Sequence, residues 1–228
     1  MNIKHIAFVC ITALAGCASP ADTGPQEADR LAQSILKSSF RAQGIATLDR
    51  LNQDELQQAC SGDKPPAEDV ARRIETAQLA AVQWPQDGAY LGDWREGEKL
   101  AQNGRGMTWS DPAGGSNPSG TPGTSSASGT SVNGGNCYNC HQLTKAEISF
   151  GSLGPSLYRY GALRGVVDPK APSSEAVVRY TWGKIWNAKA YNACSGMPRF
   201  GHAGVLSPAQ VRDLMALLLD PKSPVNAP

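Results

Sequence analysis

Apolar residues recur along this chain at helical rather than alternating spacing. Leu31, Ile35 and Phe40 predict a helix over 27–43, with Gly44 as its left-handed stop. A second helical stretch covers 52–60. A third opens with Pro66 in its first turn and carries Val70, Ile74, Ala77 and Ala81 on one stripe, ending before Pro85. These helices have little apolar bulk, so they are expected to pack on the C-terminal part of the chain rather than fold alone. Asp93, with Glu96 three residues on, is a capping-box variant and starts a helix that runs through Ala101. Ser207-Pro208 supplies an N-cap and a first-turn proline for a last helix, whose stripe is Val211, Leu214, Leu217 and Leu218 and which ends at Asp220-Pro221. Between them, Gly154-Pro155, Gly161, Gly165 and Asp168-Pro169 break the chain into short pieces, and no alternation is long enough for a strand. The pattern predicts an all-α fold with long loops.

Two segments fall outside this pattern. The apolar run from Ile6 to Ala15 is about half the roughly 20 residues a bilayer span needs, and reads as a secretory signal over 1–16. It ends in Leu14-Ala15-Gly16-Cys17, which resembles a bacterial lipobox with Cys17 as the lipidated residue; the alternative is ordinary cleavage after Ala18. Export places the mature chain in the periplasm, with lipid on Cys17 as a membrane attachment. Residues 18–26 read as a tether. In 110–136, 20 of 27 residues are Gly, Ser, Pro or Thr, too little apolar surface to offset the entropy of ordering them. The predicted organisation is a signal (1–16), a tether and helical extension (17–91), and one domain (92–228) carrying a flexible insertion at 110–136.

Charge narrows the function classes. With 21 Lys+Arg against 20 Asp+Glu, the chain lacks the basic excess that displaces counterions from nucleic acid, so no nucleic-acid partner is expected. The balance is uneven, however. Residues 18–109 carry ten basic and fourteen acidic side chains, whereas 137–228 carry ten and five. A basic half suits docking to an acidic partner, and scattered solvated charge is the bland alternative.

The chemistry lies in Cys137-Tyr138-Asn139-Cys140-His141, the spacing of c-type haem attachment. Two thiols on one helical turn can add to the two haem vinyl groups, and the next histidine reaches the iron as proximal axial ligand. A zinc half-site would need two more soft ligands at close spacing, but Cys60, Cys194 and His202 stand singly. A thioredoxin-like pair would need a βαβ setting, which the pattern lacks. Candidates for the second axial ligand are Met107, Met197, Met215 and His202. Met215 sits beside the last helix's apolar stripe, where core packing explains it. Met107 abuts the insertion. Met197, in Ser195-Gly196-Met197-Pro198-Arg199-Phe200, has a glycine that lets the loop approach and a proline that stiffens it, and a thioether raises the potential as suits an electron carrier. Met197 is therefore the distal ligand expected, with His202 its competitor. The Pro155 carbonyl is a candidate acceptor for the other N–H of His141, against the reading of Gly154-Pro155 as a simple turn. Tyr180, Trp182 and Trp186 are candidate haem-wall residues and Arg159, Arg164 and Arg179 candidate propionate partners, with ordinary core and surface roles as alternatives.

These motifs together resemble class I cytochromes c and, more closely, the SoxX family, the small cytochrome subunits of the sulfur-oxidation complex SoxAX. The likeness is carried by Gly97-Glu98-Lys99-Leu100-Ala101, Gly135 to His141, Gly154-Pro155-Ser156-Leu157, Tyr160-Gly161 with Arg164-Gly165, Asn192 to Gly201, and Asp220 to Asn226. The 110–136 stretch departs from it, at little cost, because lengthening a flexible loop adds little closure entropy. The resemblance implies one covalent haem c, a SoxA-like larger cytochrome subunit as heterodimer partner, a SoxYZ-like sulfur carrier, and a soluble cytochrome c acceptor. In that family the complex joins thiosulfate to a carrier cysteine, an L-cysteine S-thiosulfotransferase reaction, with the sulfur chemistry on the larger subunit. No sulfur active site is evident in this chain itself, and a free-standing carrier is the alternative function. Cys60 and Cys194 then remain, and in an oxidising compartment two unassigned cysteines most simply form a disulfide.

Overall fold

The computed structural model describes residues 24–43, 47–103, 134–147 and 153–227. Residues 1–16 with Cys10, the lipidation candidate Cys17, most of the tether, the predicted helix stop Gly44, Met107 and nearly all of the 110–136 stretch lie outside them. Every regular element among the described residues is helical: α1 (Pro25–Ser39), α2 (Glu55–Cys60), α3 (Glu68–Ala80), α4 (Trp94–Gln102), α5 (Tyr160–Leu163), α6 (Glu175–Trp186) and α7 (Pro208–Leu219), with short 3-10 turns between. The fold is all-α.

By its internal contacts the chain forms two units, Met1–Arg41 and Ala42–Pro228. The first contains α1, which begins with Pro25 in its first turn and ends at Ser39, because Phe40 turns to an extended backbone before Gly44 is reached. The second unit includes α2 and α3, which are stitched to the rest of it. Asp54 caps α2 in a reciprocal box with Gln57, so this helix starts three residues later than the apolar pattern suggests. α3 starts at Glu68 with Ala67 at its N-cap, so Pro66 lies just before the helix rather than in its first turn. The buried face of α3 is centred on Ile74, flanked by Val70 and Ala71, and packs with Leu56, Ala59 and Ala193. Ala77 and Ala81 are exposed. Further along the same side, the Gln78 side-chain oxygen accepts from Asn187 at 2.9 Å.

The main core is built around α7. Ser207 and Gln210 form a complete capping box, and Val211, Leu214, Met215, Leu217, Leu218 and Leu219 are all buried. α4 lies across α7 with Leu100 and Ala101 buried against it. The approach is close enough that a Cβ on Gly97 would overlap the Asp213 carbonyl, 2.6 Å from its carbon and 3.1 Å from the Leu214 nitrogen. Asp93 caps α4 through the Arg95 N–H, so the box with Glu96 does not form, and the Asp93 N–H donates to the Asp213 carboxylate at 2.8 Å. Burial raises Asp213 above the usual carboxylate range, opposed by that hydrogen bond.

α6 completes the core with Val178, Trp182, Ile185 and Trp186. Their steps of four, three and one mark a helix face, but the aromatic and β-branched content of the segment obscures it. Trp182 stacks on Trp186 with centroids 5.6 Å apart, Tyr90 meets Trp182 edge-on, and the Trp182 indole N–H donates to the Gln83 carbonyl at 2.9 Å. The C-terminal tail is pinned by buried Asn226. Its oxygen accepts from the Gly161 and Ala162 N–H groups, and its nitrogen donates to the Leu218 and Asp220 carbonyls.

The residues on either side of 104–133 meet in space. The Gly135 N–H donates to the Leu100 carbonyl at 2.8 Å and the Asn136 N–H to the Asn103 carbonyl at 3.2 Å. These bonds fasten residues 134–136 to the end of α4, so the segment 104–133 joins two points that lie side by side.

Candidate haem-attachment site

Cys137 to Asn139 form a 3-10 turn entered through Asn136, whose backbone is left-handed (φ 48°). The N–H groups of Cys140 and His141 both donate to the Cys137 carbonyl, which folds the five-residue motif into one turn. Both cysteines are free thiols. Cys137 packs against the main core, and burial pushes its thiol up to about 12. A thiol so shifted is a poor nucleophile at neutral pH, unlike the depressed thiols of disulfide oxidoreductases.

His141 is positioned by the segment around Pro155. Its Nδ1 lies 2.6 Å from the Pro155 carbonyl oxygen. A carbonyl only accepts, so Nδ1 carries the proton and Nε2 keeps the lone pair that a metal requires. The Leu157 N–H donates to the Gln142 carbonyl and the Ser156 hydroxyl to the Gln142 side chain, which lays 154–157 along 140–142. Gly154 makes this apposition feasible. A Cβ there would stand 2.6 Å from His141 Nδ1 and 2.9 Å from the Cys140 carbonyl oxygen. Replacing Gly154 by alanine should therefore displace the imidazole, read as a perturbed His141 ring-nitrogen NMR signal and loss of its bond to Pro155.

Met197 is half-buried and touches the same core that receives Cys137. Its loop is held at several points. Cys60 and Cys194 form a disulfide with their Cα atoms 5.4 Å apart, joining α2 to the loop. The Lys189 ammonium donates to the Ala193 and Ser195 carbonyls, the Ala193 N–H to the Glu75 carboxylate, and the Met197 N–H to the Ser195 hydroxyl. Beyond it, buried Phe200 accepts backbone bonds from Val205 and Leu206. A cavity of about 460 Å³ lies beside the loop, with Leu56, Gln57, Cys60, Lys189, Met197 and Arg199 in its wall. Desolvation and the Arg199 charge hold Lys189 below its ordinary value.

The other candidates fall elsewhere. Met215 is fully buried within the α7 stripe. His202 is exposed, its N–H donates to the Trp186 carbonyl, and desolvation with Arg199 nearby keeps its imidazole below the ordinary value. Arg164 stacks on Tyr160 and Arg179 on Trp84, while Arg159 is exposed. Tyr180 meets Tyr191 edge-on. Of the three aromatic candidates, Trp186 differs: its indole N–H is buried and has no partner among the described residues. Lys189 and Glu75, which fasten the methionine loop, carry no motif that marks them in the sequence.

The residues present fit a covalently bound haem. Two free thiols occupy one turn, the following imidazole is fixed in the tautomer that leaves Nε2 for iron, and the buried Trp186 N–H finds no acceptor among the described residues.

No family model matches the chain. A protein of Aquifex aeolicus (strain VF5) described as an uncharacterized lipoprotein is 36% identical over 178 residues, covering 76% of this chain and 73% of that protein. With that identity over most of both chains, the chain belongs to the same family as the Aquifex protein.

Proposed function

We propose that this protein is a monohaem c-type cytochrome of the class I fold, attached to a membrane by lipid on Cys17 and facing the periplasm, and that it relays electrons as the small subunit of a SoxAX-like sulfur-oxidising complex. The observation that carries the haem reading is the Cys137–Cys140–His141 turn with the imidazole Nδ1 committed to the Pro155 carbonyl. The lipid reading rests on Leu14-Ala15-Gly16-Cys17 and on the lipoprotein name of the Aquifex relative.

Haem c bound here supplies one-electron transfer between ferric and ferrous iron. Cys137 and Cys140 would hold it through thioethers, and His141 Nε2 and the Met197 sulfur would ligate its iron. The hydrogen bond to Pro155 fixes the imidazole plane. The bonds on 193–200 hold Met197 in place, and a thioether ligand favours the ferrous state.

The sulfur chemistry belongs to a SoxA-like larger partner. A carrier thiolate, on a SoxYZ-like protein, and thiosulfate join through a new S–S bond and release two electrons. This subunit takes them one at a time and passes them to a soluble cytochrome c. The haem reading is tested by Met197→Ala, which should abolish the methionine-to-iron charge-transfer band while leaving haem attached. A surviving band would contradict the ligand assignment. The complex reading is tested by purification from native membranes. It requires co-purification with a larger cytochrome subunit, and a strictly monomeric native protein would instead make this a free-standing carrier.

A further inference from the structure

We propose that α1 lies in the lipid–water interface as a second, non-covalent membrane contact that orients the protein beside its lipid anchor; this rests on the lipid reading at Cys17. None of the fifteen residues of α1 is buried. At 100° per residue, Ala28, Leu31, Ala32 and Ile35 share one face, and Gln26, Arg30, Gln33 and Lys37 the opposite one. Leu31 is 57% exposed, Ile35 52%, and Phe40, just past the helix, 50%. An amphipathic helix of this length is marginal in water without a surface to cover its apolar side.

The chain on the N-terminal side says which surface that is. Seven residues, 18–24, separate Cys17 from Pro25. Even fully extended they span about 25 Å, so a lipid on Cys17 keeps the start of α1 at the bilayer and presents the helix to it at high effective concentration. The helix is about 22 Å long, which suits a helix lying flat along the interface and falls short of the roughly 30 Å hydrocarbon thickness. Arg30, Lys37 and Arg41 outnumber Glu27 and Asp29, and their long stems can reach headgroup phosphates while Leu31 and Ile35 enter the acyl boundary.

The test is hydrogen–deuterium exchange of peptides within 25–40. The full lipidated chain on phosphatidylethanolamine/phosphatidylglycerol vesicles is compared with Cys17→Ser in solution. At least tenfold slower exchange on vesicles is expected, and Leu31→Ser/Ile35→Ser on the lipidated chain should restore the solution rate. Equal rates on vesicles and in solution would overturn the proposal, since the helix would then sit in water. So would equal protection in soluble Cys17→Ser, since the chain's own second unit would then cover the face. The mass of the N-terminal peptide reads the lipid separately. If Cys17 carries none, the same comparison made with and without vesicles on the unlipidated chain still decides the helix.

Discussion

Serine at both Cys60 and Cys194 is expected to lower the unfolding free energy by about 5 kcal/mol. The disulfide spans 134 residues, and closing a loop of that size restricts the unfolded chain far more than closing a short one. The other fastenings at this joint are the hydrogen bonds of Lys189 and Glu75 and a small apolar contact. The α2–α3 contact is a small cluster of Leu56, Ile74 and Ala193 with Ala59, Val70 and Ala71 around it, and burying one or two such side chains contributes roughly 1.5–3 kcal/mol each. The ion pair Arg73–Glu55 is exposed and adds little. The loss should appear as a lower denaturant midpoint in Cys60→Ser/Cys194→Ser, and reductant should shift the wild type but not the variant. An unchanged midpoint would mean that the Ala193 and Lys189 hydrogen bonds alone fasten the methionine loop.

Gly97→Ala should destabilise by about 3 kcal/mol or more, although helix propensity by itself favours alanine by about 1 kcal/mol. The new Cβ would meet Asp213 backbone rather than a side-chain end that can swing aside. The two helices would have to separate, loosening Leu100 and Ala101 from Leu214 and Val211 and stretching the Asp93 N–H bond to Asp213. Overpacking of a tight joint typically costs about 1–3 kcal/mol, and a backbone obstacle lies at the upper end. Thermal unfolding checks this directly. A stabilised variant would show that the α4–α7 joint is looser than the structure has it.

These two joints differ in how far they can be read from sequence. α7 is legible because its cap, first-turn proline and leucine stripe all act within a dozen residues, and Ser207, Gln210 and Leu214 take the places their spacing dictates. The Cys60–Cys194 pairing follows from cysteine arithmetic in an exported chain. The apposition of Gly154-Pro155 to His141 is only half legible, because a glycine-proline step reads equally as a simple turn until the Pro155 carbonyl is seen against the imidazole. By contrast, Gly97 looks like an unfavourable residue in a helix until Asp213, more than a hundred residues away, is seen against it. The buried face of α3 is set by Ala193 and Asn187, so the Val70–Ile74–Ala77–Ala81 stripe turns only half inward. α6 is masked by residues whose local preference is for strands and whose helicity comes from packing Trp182 and Trp186 into the core. The division at Arg41 depends on which helices find partners, and sequence alone gives α1 and α3 similar stripes.

The central claim is that residues 137–141 hold a haem covalently. Intact mass spectrometry of protein purified from its native membranes, denatured and reduced, tests it most directly. Covalent attachment leaves one haem per chain after denaturation, with Cys137 and Cys140 unreactive to alkylation and Cys60 and Cys194 alkylated only after reduction. A haem-free mass, with Cys137 and Cys140 both alkylated, would contradict it.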